Sequence, residues 1–324
     1  MINESSLDSL VHKYGCFSLA GSVQQPGIKY FGDSSGVIAY AESGSFPHAT
    51  WIALGDPLAP PSSWEELIRK FTIQVSDTAF LNIGQQTASI LQKENFTIND
   101  FGWEGIIRLD EYTLDGPKKQ NIRNAVRRVE KLGYKVDELS TDENWNEISQ
   151  VSQNWLRFRS SRRPENRLVT RPLMKRGRFQ RLFGLWSPDG LLVHLVSFDE
   201  IWREGSIIGY HSNINRSTDQ SPKNADYAIH CHVMDVLRSE GISMLSLGLC
   251  PDFLDRSEGL EQNRYLSLTL SFAQRFGGRI YNFGGIVEHK AEFRPTYKRR
   301  VYLAIQKPWP LSTVLAGLRF SSLM

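Results

Sequence analysis

Apolar residues come in short runs along the first third of the chain, each closed by glycine, proline or a small polar residue. Lys29-Tyr30-Phe31, Val37 to Tyr40 and Thr50 to Leu54 read as strands; a Gly32-Asp33-Ser34-Ser35-Gly36 turn follows the first and Gly55-Asp56-Pro57 the last. The pattern then lengthens to a helical period over Ser63 to Val75, with Ser63 as N-cap and Leu67, Ile68 and Phe71 on one side. Ala79 to Ile83 is expected as a strand, Gln86 to Glu94 as a helix, and Gly105 to Leu109 as an edge strand of the same sheet. From Lys118 to Leu132 the helical period puts Ile122, Ala125, Val126, Val129 and Leu132 on one face, with Gly133 as the stop.

A helix over Trp145 to Phe158 opens a second series. Phe183 to Trp186, Leu191 to Phe198 and Ser206 to Ser212 read as three antiparallel strands joined by turns at 187–190 and 203–205. Helices over Ala225 to Glu240 and Arg264 to Phe276 alternate with strands over Met244 to Gly248 and Val301 to Gln306. Strands, helix, strand, helix, strand thus occurs twice. That order predicts an α+β fold with a mixed sheet and resembles two tandem acyltransferase lobes of the GNAT type. The expected division is 1–140, 141–310 carrying the site, and a tail over 311–324.

The 324 residues are 40% hydrophobic and 23% charged, ordinary for a globular chain with a real core. The net charge of +3 conceals an asymmetry. Six Lys or Arg lie between Lys118 and Lys131 against Glu130 alone, and ten lie between Arg157 and Arg181 against Glu165 alone. Elsewhere 22 basic residues face 33 acidic ones, so positive potential is concentrated in two windows and points to a polyanion: nucleic acid, a phospholipid headgroup or a nucleotide. Lys119, Arg123, Arg127 and Lys131 recur every fourth residue and drift by only about 40° per step, forming one stripe. Two readings fit it, a solvated helix face and a phosphate-binding face. Three widely spaced cysteines without a CxxC pair suggest neither a disulfide framework nor a metal site. With no apolar leader at the N-terminus and no long apolar run, the expected location is cytoplasmic.

Several stretches, taken in order, resemble the cytoplasmic synthase domain of the phosphatidylglycerol lysyltransferase family, the multiple peptide resistance factors. They are Lys29-Tyr30-Phe31 with its hairpin, Leu54-Gly55-Asp56-Pro57, Phe101 to Leu109 with Glu104, and Lys118 to Arg123 running on to Glu130-Lys131-Leu132-Gly133-Tyr134. Leu247-Gly248-Leu249 and Lys290 to Tyr297 with Arg300 and Tyr302-Leu303-Ala304 complete the set. The resemblance implies transfer of an aminoacyl group from a charged tRNA, as co-substrate and with no cofactor, to a lipid hydroxyl. The implied partners are aminoacyl-tRNA and an anionic phospholipid or membrane surface, met peripherally at the inner face; the oligomeric state stays open. The family's Asp-x-x-Arg has no counterpart on the matching strand Ile208-Gly209-Tyr210-His211-Ser212-Asn213. The membrane-embedded part of the family is not matched either, so the expected action is lipid modification without translocation. Two alternatives remain: a non-catalytic RNA- or membrane-binding protein of this fold, and a coenzyme A-dependent N-acyltransferase. Gln274 to Arg279, the nearest string to a coenzyme A phosphate turn, fits that motif poorly.

An aminoacyl ester is already activated, so the chemistry asks for alignment of the acceptor, removal of its proton and stabilisation of an oxyanion. Asp226 and His230, four apart on a helix, are the first candidate for that base; a helix-start carboxylate beside a surface histidine is the plainer reading. His211 is the second candidate, against a merely polar strand residue. Glu104 is expected either to bind the substrate ammonium or to pair with an arginine. Lys119, Arg123, Arg127, Lys290 and Arg300 are expected to meet tRNA or headgroup phosphates.

Overall fold

The computed structural model describes residues 2–43, 50–75, 77–158, 170–175, 177–252 and 283–306, together with Leu260 and Ser267. Its strands are β1 (Lys29–Asp33), β2 (Gly36–Ser43), β3 (Thr50–Leu54), β4 (Thr78–Ile83), β5 (Phe96–Arg108), β6 (Lys135–Leu139), β7 (Gln180–Trp186), β8 (Leu192–Arg203), β9 (Ser206–Ser217), β10 (Met244–Cys250) and β11 (Tyr297–Gln306). The α-helices are α1 (Glu4–Tyr14), α2 (Trp64–Gln74), α3 (Gln85–Lys93), α4 (Gln120–Lys131), α5 (Trp145–Phe158), α6 (Asp226–Ser239) and α7 (Phe283–Glu292). The expected fold class, a mixed α/β sheet, is the one observed.

All eleven strands join one sheet in the order β1-β2-β3-β4-β11-β5-β10-β9-β8-β7-β6. The order is symmetric about the antiparallel β11–β5 pair. On one side the meander β1-β2-β3 leads through α2 to β4, parallel to β3; on the other β7-β8-β9 leads through α6 to β10, parallel to β9. Each half then sends its last strand across: β5 lies beside β10, and β11 lies beside β4. β6, just before the expected division at residue 140, pairs with β7 at the far edge, and α5 packs on β8 and β9.

Burial explains the elements. β5 is covered on both faces and buried at nearly every position, which is why it reads as an apolar run rather than an alternation. It is a central strand of 13 residues, not the edge strand expected over 105–109. α6 buries nine of its residues between the sheet and α4, whose Ile122, Ala125 and Val129 form the facing stripe. On the opposite face α1 and the segment 15–25 pack Leu7, Val11, Phe17 and Leu19 on Val37, Ala39 and Leu54. Three elements escape the sequence pattern: α1, β6 and α7. The helix expected over 264–276 lies outside the described residues.

Candidate functional site

β9 and β10 run parallel, with Met244 to Ser246 set against Gly209 to His211, and then part. The cause is local. β10 shifts register against β5 between Ser246 and Leu249, and Gly248 takes φ +81°. A Cβ at Gly248 would sit 2.8 Å from His211 Cε1, 3.0 Å from the Ser212 carbonyl oxygen and 3.2 Å from Lys290 Nζ, so three neighbours close on space that only glycine leaves. The N-terminus of α6 stands at the same end of β9. Parting parallel strands beside a helix N-terminus are where α/β sheets admit ligands.

On the face beneath the 15–25 segment a row of polar groups crosses the sheet, with Arg299 opposite Glu104 and Asp199 opposite both His211 and Gln180. Glu104 is buried. Ser18 Oγ and Arg299 Nη2 donate to its carboxylate, as do Arg299 Nε at 3.0 Å and Asn82 Nδ2 at 3.2 Å. Burial works to raise this carboxyl, but the charges of Arg299 and His211 and the hydrogen bonds hold it at about 2. Glu104 is thus paired with the arginine at position 299. His211 is 3% exposed, and its Nδ1 has no hydrogen-bond partner among the described residues. Burial pushes its imidazole down to about 4 despite Glu104 and Asp199, so the ring is neutral near pH 7. Lys290 on α7 turns inward and donates from Nζ to the Leu249 carbonyl at 2.8 Å; burial lowers its ammonium to about 8. Arg300 is half-buried on β11, in register with Trp103.

On the α6 face the expected contact between the Asp226 and His230 side chains is not made. His230 is buried rather than superficial; its Nδ1 lies 2.8 Å from the Asp226 main-chain oxygen and its Nε2 3.0 Å from Ser212 Oγ. Burial lowers its imidazole to about 4. The Asp226 carboxylate instead takes His289 Nε2 at 2.6 Å, and the His289 ring stacks on Tyr227 with centroids 4.8 Å apart. Burial works to raise Asp226, yet its hydrogen bond with His289 and the nearby imidazoles hold it at about 2. A spacing of four brings Asp226 and His230 to one side of the helix, but the imidazole turns to the preceding turn's carbonyl instead of the carboxylate. Sequence reasoning missed Ser212, His289, Arg299, Ser18 and Asn82. The first three each adjoin a residue it had singled out.

The basic stripe divides. Lys119 precedes α4 as its N-cap; its Nζ donates to the Thr113 carbonyl at 2.5 Å and lies 3.6 Å from the Tyr112 ring centre. Arg123 Nη1 donates to the Leu114 and Gly116 carbonyls. These two fasten the 113–116 turn, whereas Arg127, Arg128 and Lys131 are exposed and have no ion-pair partner among the described residues. In the second basic window Arg171 pairs with Asp199 inside the fold at 3.3 Å, Arg178 with Asp8 and Glu4, and Arg181 with Glu138 and Glu240. These three cations are structural; Arg159-Ser160-Ser161-Arg162-Arg163 lies outside the described residues. Among the described residues no group of three or more His, Cys, Asp or Glu is placed to hold a metal, and no helix is long and apolar enough to cross a membrane. A cleft of about 440 Å³ between the 110–114 turn and α6 is lined by none of the candidate site residues.

In comparison with known proteins, the chain is 21% identical over 282 residues to the phosphatidylglycerol lysyltransferase of Bacillus subtilis, covering 82% of this chain and 31% of that protein. It is 30% identical over 89 residues to the lysylphosphatidylglycerol biosynthesis bifunctional protein LysX of Rhodococcus jostii, covering 26% of this chain and 8% of that protein. The chain thus spans less than a third of either relative. Among solved structures, L-PGS from Bacillus licheniformis superposes with a TM-score of 0.78 at 20% identity, over 99% of this chain and 97% of that one. FemX superposes with a TM-score of 0.57 at 9% identity, over 98% of each chain. These likenesses establish a shared fold. The family model described as phosphatidylglycerol lysyltransferase, C-terminal, matches residues 10–305, and the chain belongs to that family.

Proposed function

We propose that the chain is an aminoacyltransferase that moves an aminoacyl group from a charged tRNA to a hydroxyl of a phosphatidylglycerol-like lipid. The observation that carries this reading is the family match over residues 10–305, joined to the polar groups gathered where β9 and β10 cease to pair. An ester donor supplies the activation, so the protein has to align the acceptor and accept its proton. Burial keeps His211 and His230 neutral at pH 7, the protonation state a base requires. Asp226 and His289 fix the first turn of α6 against α7 beside them. Arg127, Arg128 and Lys131 offer phosphate contacts to tRNA or to an anionic membrane met peripherally, at its cytoplasmic face.

The test is transfer of radiolabel from total tRNA, charged with a mixture of labelled amino acids, into vesicles containing phosphatidylglycerol. Label is expected in the organic extract and should vanish when phosphatidylglycerol is replaced by phosphatidylcholine. Absence of lipid label with every charged amino acid overturns the proposal. Vesicle flotation with and without anionic lipid tests the peripheral contact.

A further inference from the structure

We propose that Ser212 is an acyl-accepting nucleophile activated by His230, so that transfer by this chain passes through an ester on Ser212. The hydrogen positions follow from the partners. His230 Nδ1 faces the Asp226 carbonyl oxygen at 2.8 Å, which can only accept, so Nδ1 carries the ring hydrogen. The neutral ring then presents a lone pair at Nε2, and Ser212 Oγ, 3.0 Å away, must donate to it. A serine hydroxyl donating to an imidazole whose other nitrogen is held by a fixed acceptor is the arrangement that activates serine for acyl transfer. Here the orienting acceptor is a main-chain carbonyl.

The surroundings support a working nucleophile over a hydroxyl that merely satisfies a buried histidine. Ser212 is the first residue of β9 beyond its last pairing with β10, and it is half-buried where His230 is fully buried. The dyad is braced from α7 by the His289–Asp226 contact, which secures the turn supplying the Nδ1 acceptor. Phe198 and Phe293 pack against the His230 ring with centroids 5.5 and 5.2 Å away, holding its orientation.

The steps balance without a further reactant. Ser212 Oγ attacks the ester carbonyl carbon as its proton passes to His230 Nε2. The tetrahedral oxyanion collapses, the bond to the donor's ribose oxygen breaks, and that oxygen takes the proton from Nε2. The acceptor hydroxyl then gives its proton to Nε2 and attacks the Ser212 ester, and Ser212 Oγ departs and recovers the proton. One ester replaces another; with water as acceptor, the same steps hydrolyse the donor.

This inference rests on the acyl-transfer reading, but its test uses the dyad alone. The full chain is treated with a biotinylated fluorophosphonate and the labelled peptide is identified by mass spectrometry; p-nitrophenyl acetate is used in parallel for burst kinetics. We expect label on Ser212 and a burst of p-nitrophenolate approaching one per chain, both abolished by Ser212→Ala. His230→Asn keeps a donor near the Asp226 carbonyl but removes Nε2, and should slow labelling about 100-fold or more. Circular dichroism and thermal melting confirm that each variant is folded. An unlabelled Ser212 in the wild type, or labelling of His230→Asn at the wild-type rate, overturns the proposal. If Ser212 is labelled but no lipid is aminoacylated, the dyad stands and the lipid reading falls. If lipid is aminoacylated within about threefold of wild type by Ser212→Ala, the lipid reading stands and the covalent step falls.

Discussion

Replacing Glu104 by glutamine removes the charge from a buried carboxylate that receives Arg299, Ser18 and Asn82, while keeping nearly the same shape. A carboxyl held at about 2 in the folded chain, against 4.5 when free, favours the folded state by about 3 kcal/mol at pH 7, at about 1.4 kcal/mol per tenfold. Arg299 is a third exposed, so water compensates part of its loss and about 2 to 3 kcal/mol is the expected deficit. The sign follows from the depressed carboxyl: the contribution is complete above about 4.5 and is lost as pH falls towards about 2. The undiscounted value falls to about 2 kcal/mol at pH 3.5, so the gap between wild type and Glu104→Gln should narrow by about two fifths. Urea unfolding of both proteins at pH 7 and 3.5, fitted with a common slope, measures it. A gap below about 1 kcal/mol at pH 7, or one that does not narrow in acid, would refute the assignment of Glu104 as a buried, paired anion.

Other variants probe separate parts of the same region. Gly248→Ala, at φ +81° with three neighbours closing on the added Cβ, should lower stability by about 1 to 3 kcal/mol in thermal unfolding and reduce lipid transfer. Asp199→Asn leaves the Arg171 guanidinium uncompensated inside the fold and should cost about 3 to 5 kcal/mol in denaturant unfolding; a loss under about 1 kcal/mol would show that the pair is not buried in solution. Charge reversal at Arg127 and Arg128 should reduce the slope of log affinity for tRNA against log salt concentration by about one for each phosphate no longer neutralised, measured by filter binding across a salt series. Burial pushes the Cys231 and Cys250 thiols up to about 12 while Cys16 is exposed, so iodoacetamide should modify Cys16 alone in the folded chain, read by intact mass.

The local pattern determined much of the architecture because helix and strand periods report burial on one face. α2, α3, α4, α5 and α6 fall where the 3.6-residue repeat puts them, and the strand runs mark most of the sheet. The pattern failed where that relation fails. β5 is covered on both faces and loses its alternation; α7 has no strong apolar stripe; β6 is a short edge strand with mostly exposed side chains. The ordered motifs from residue 29 to 306 were enough to place the chain in its family, which spans 10–305.

The tertiary structure alone decided which groups meet. His211 and Ser212 are adjacent in sequence, yet a strand sends one beneath the 15–25 segment and the other towards α6. Asp226 and His230 sit four apart, but the helix backbone takes the imidazole's Nδ1, and the carboxylate finds His289 some sixty residues on. Arg299 and Glu104 are brought together by the exchange of last strands between the two halves, a long-range pairing that no local window contains. Charge density marked the basic windows, but whether a cation faces solvent or closes an internal ion pair depends on neighbours supplied by distant strands. Lys119, Arg123, Arg171 and Arg181 were therefore assigned by packing, while Arg127, Arg128 and Lys131 stayed as the helix period had placed them.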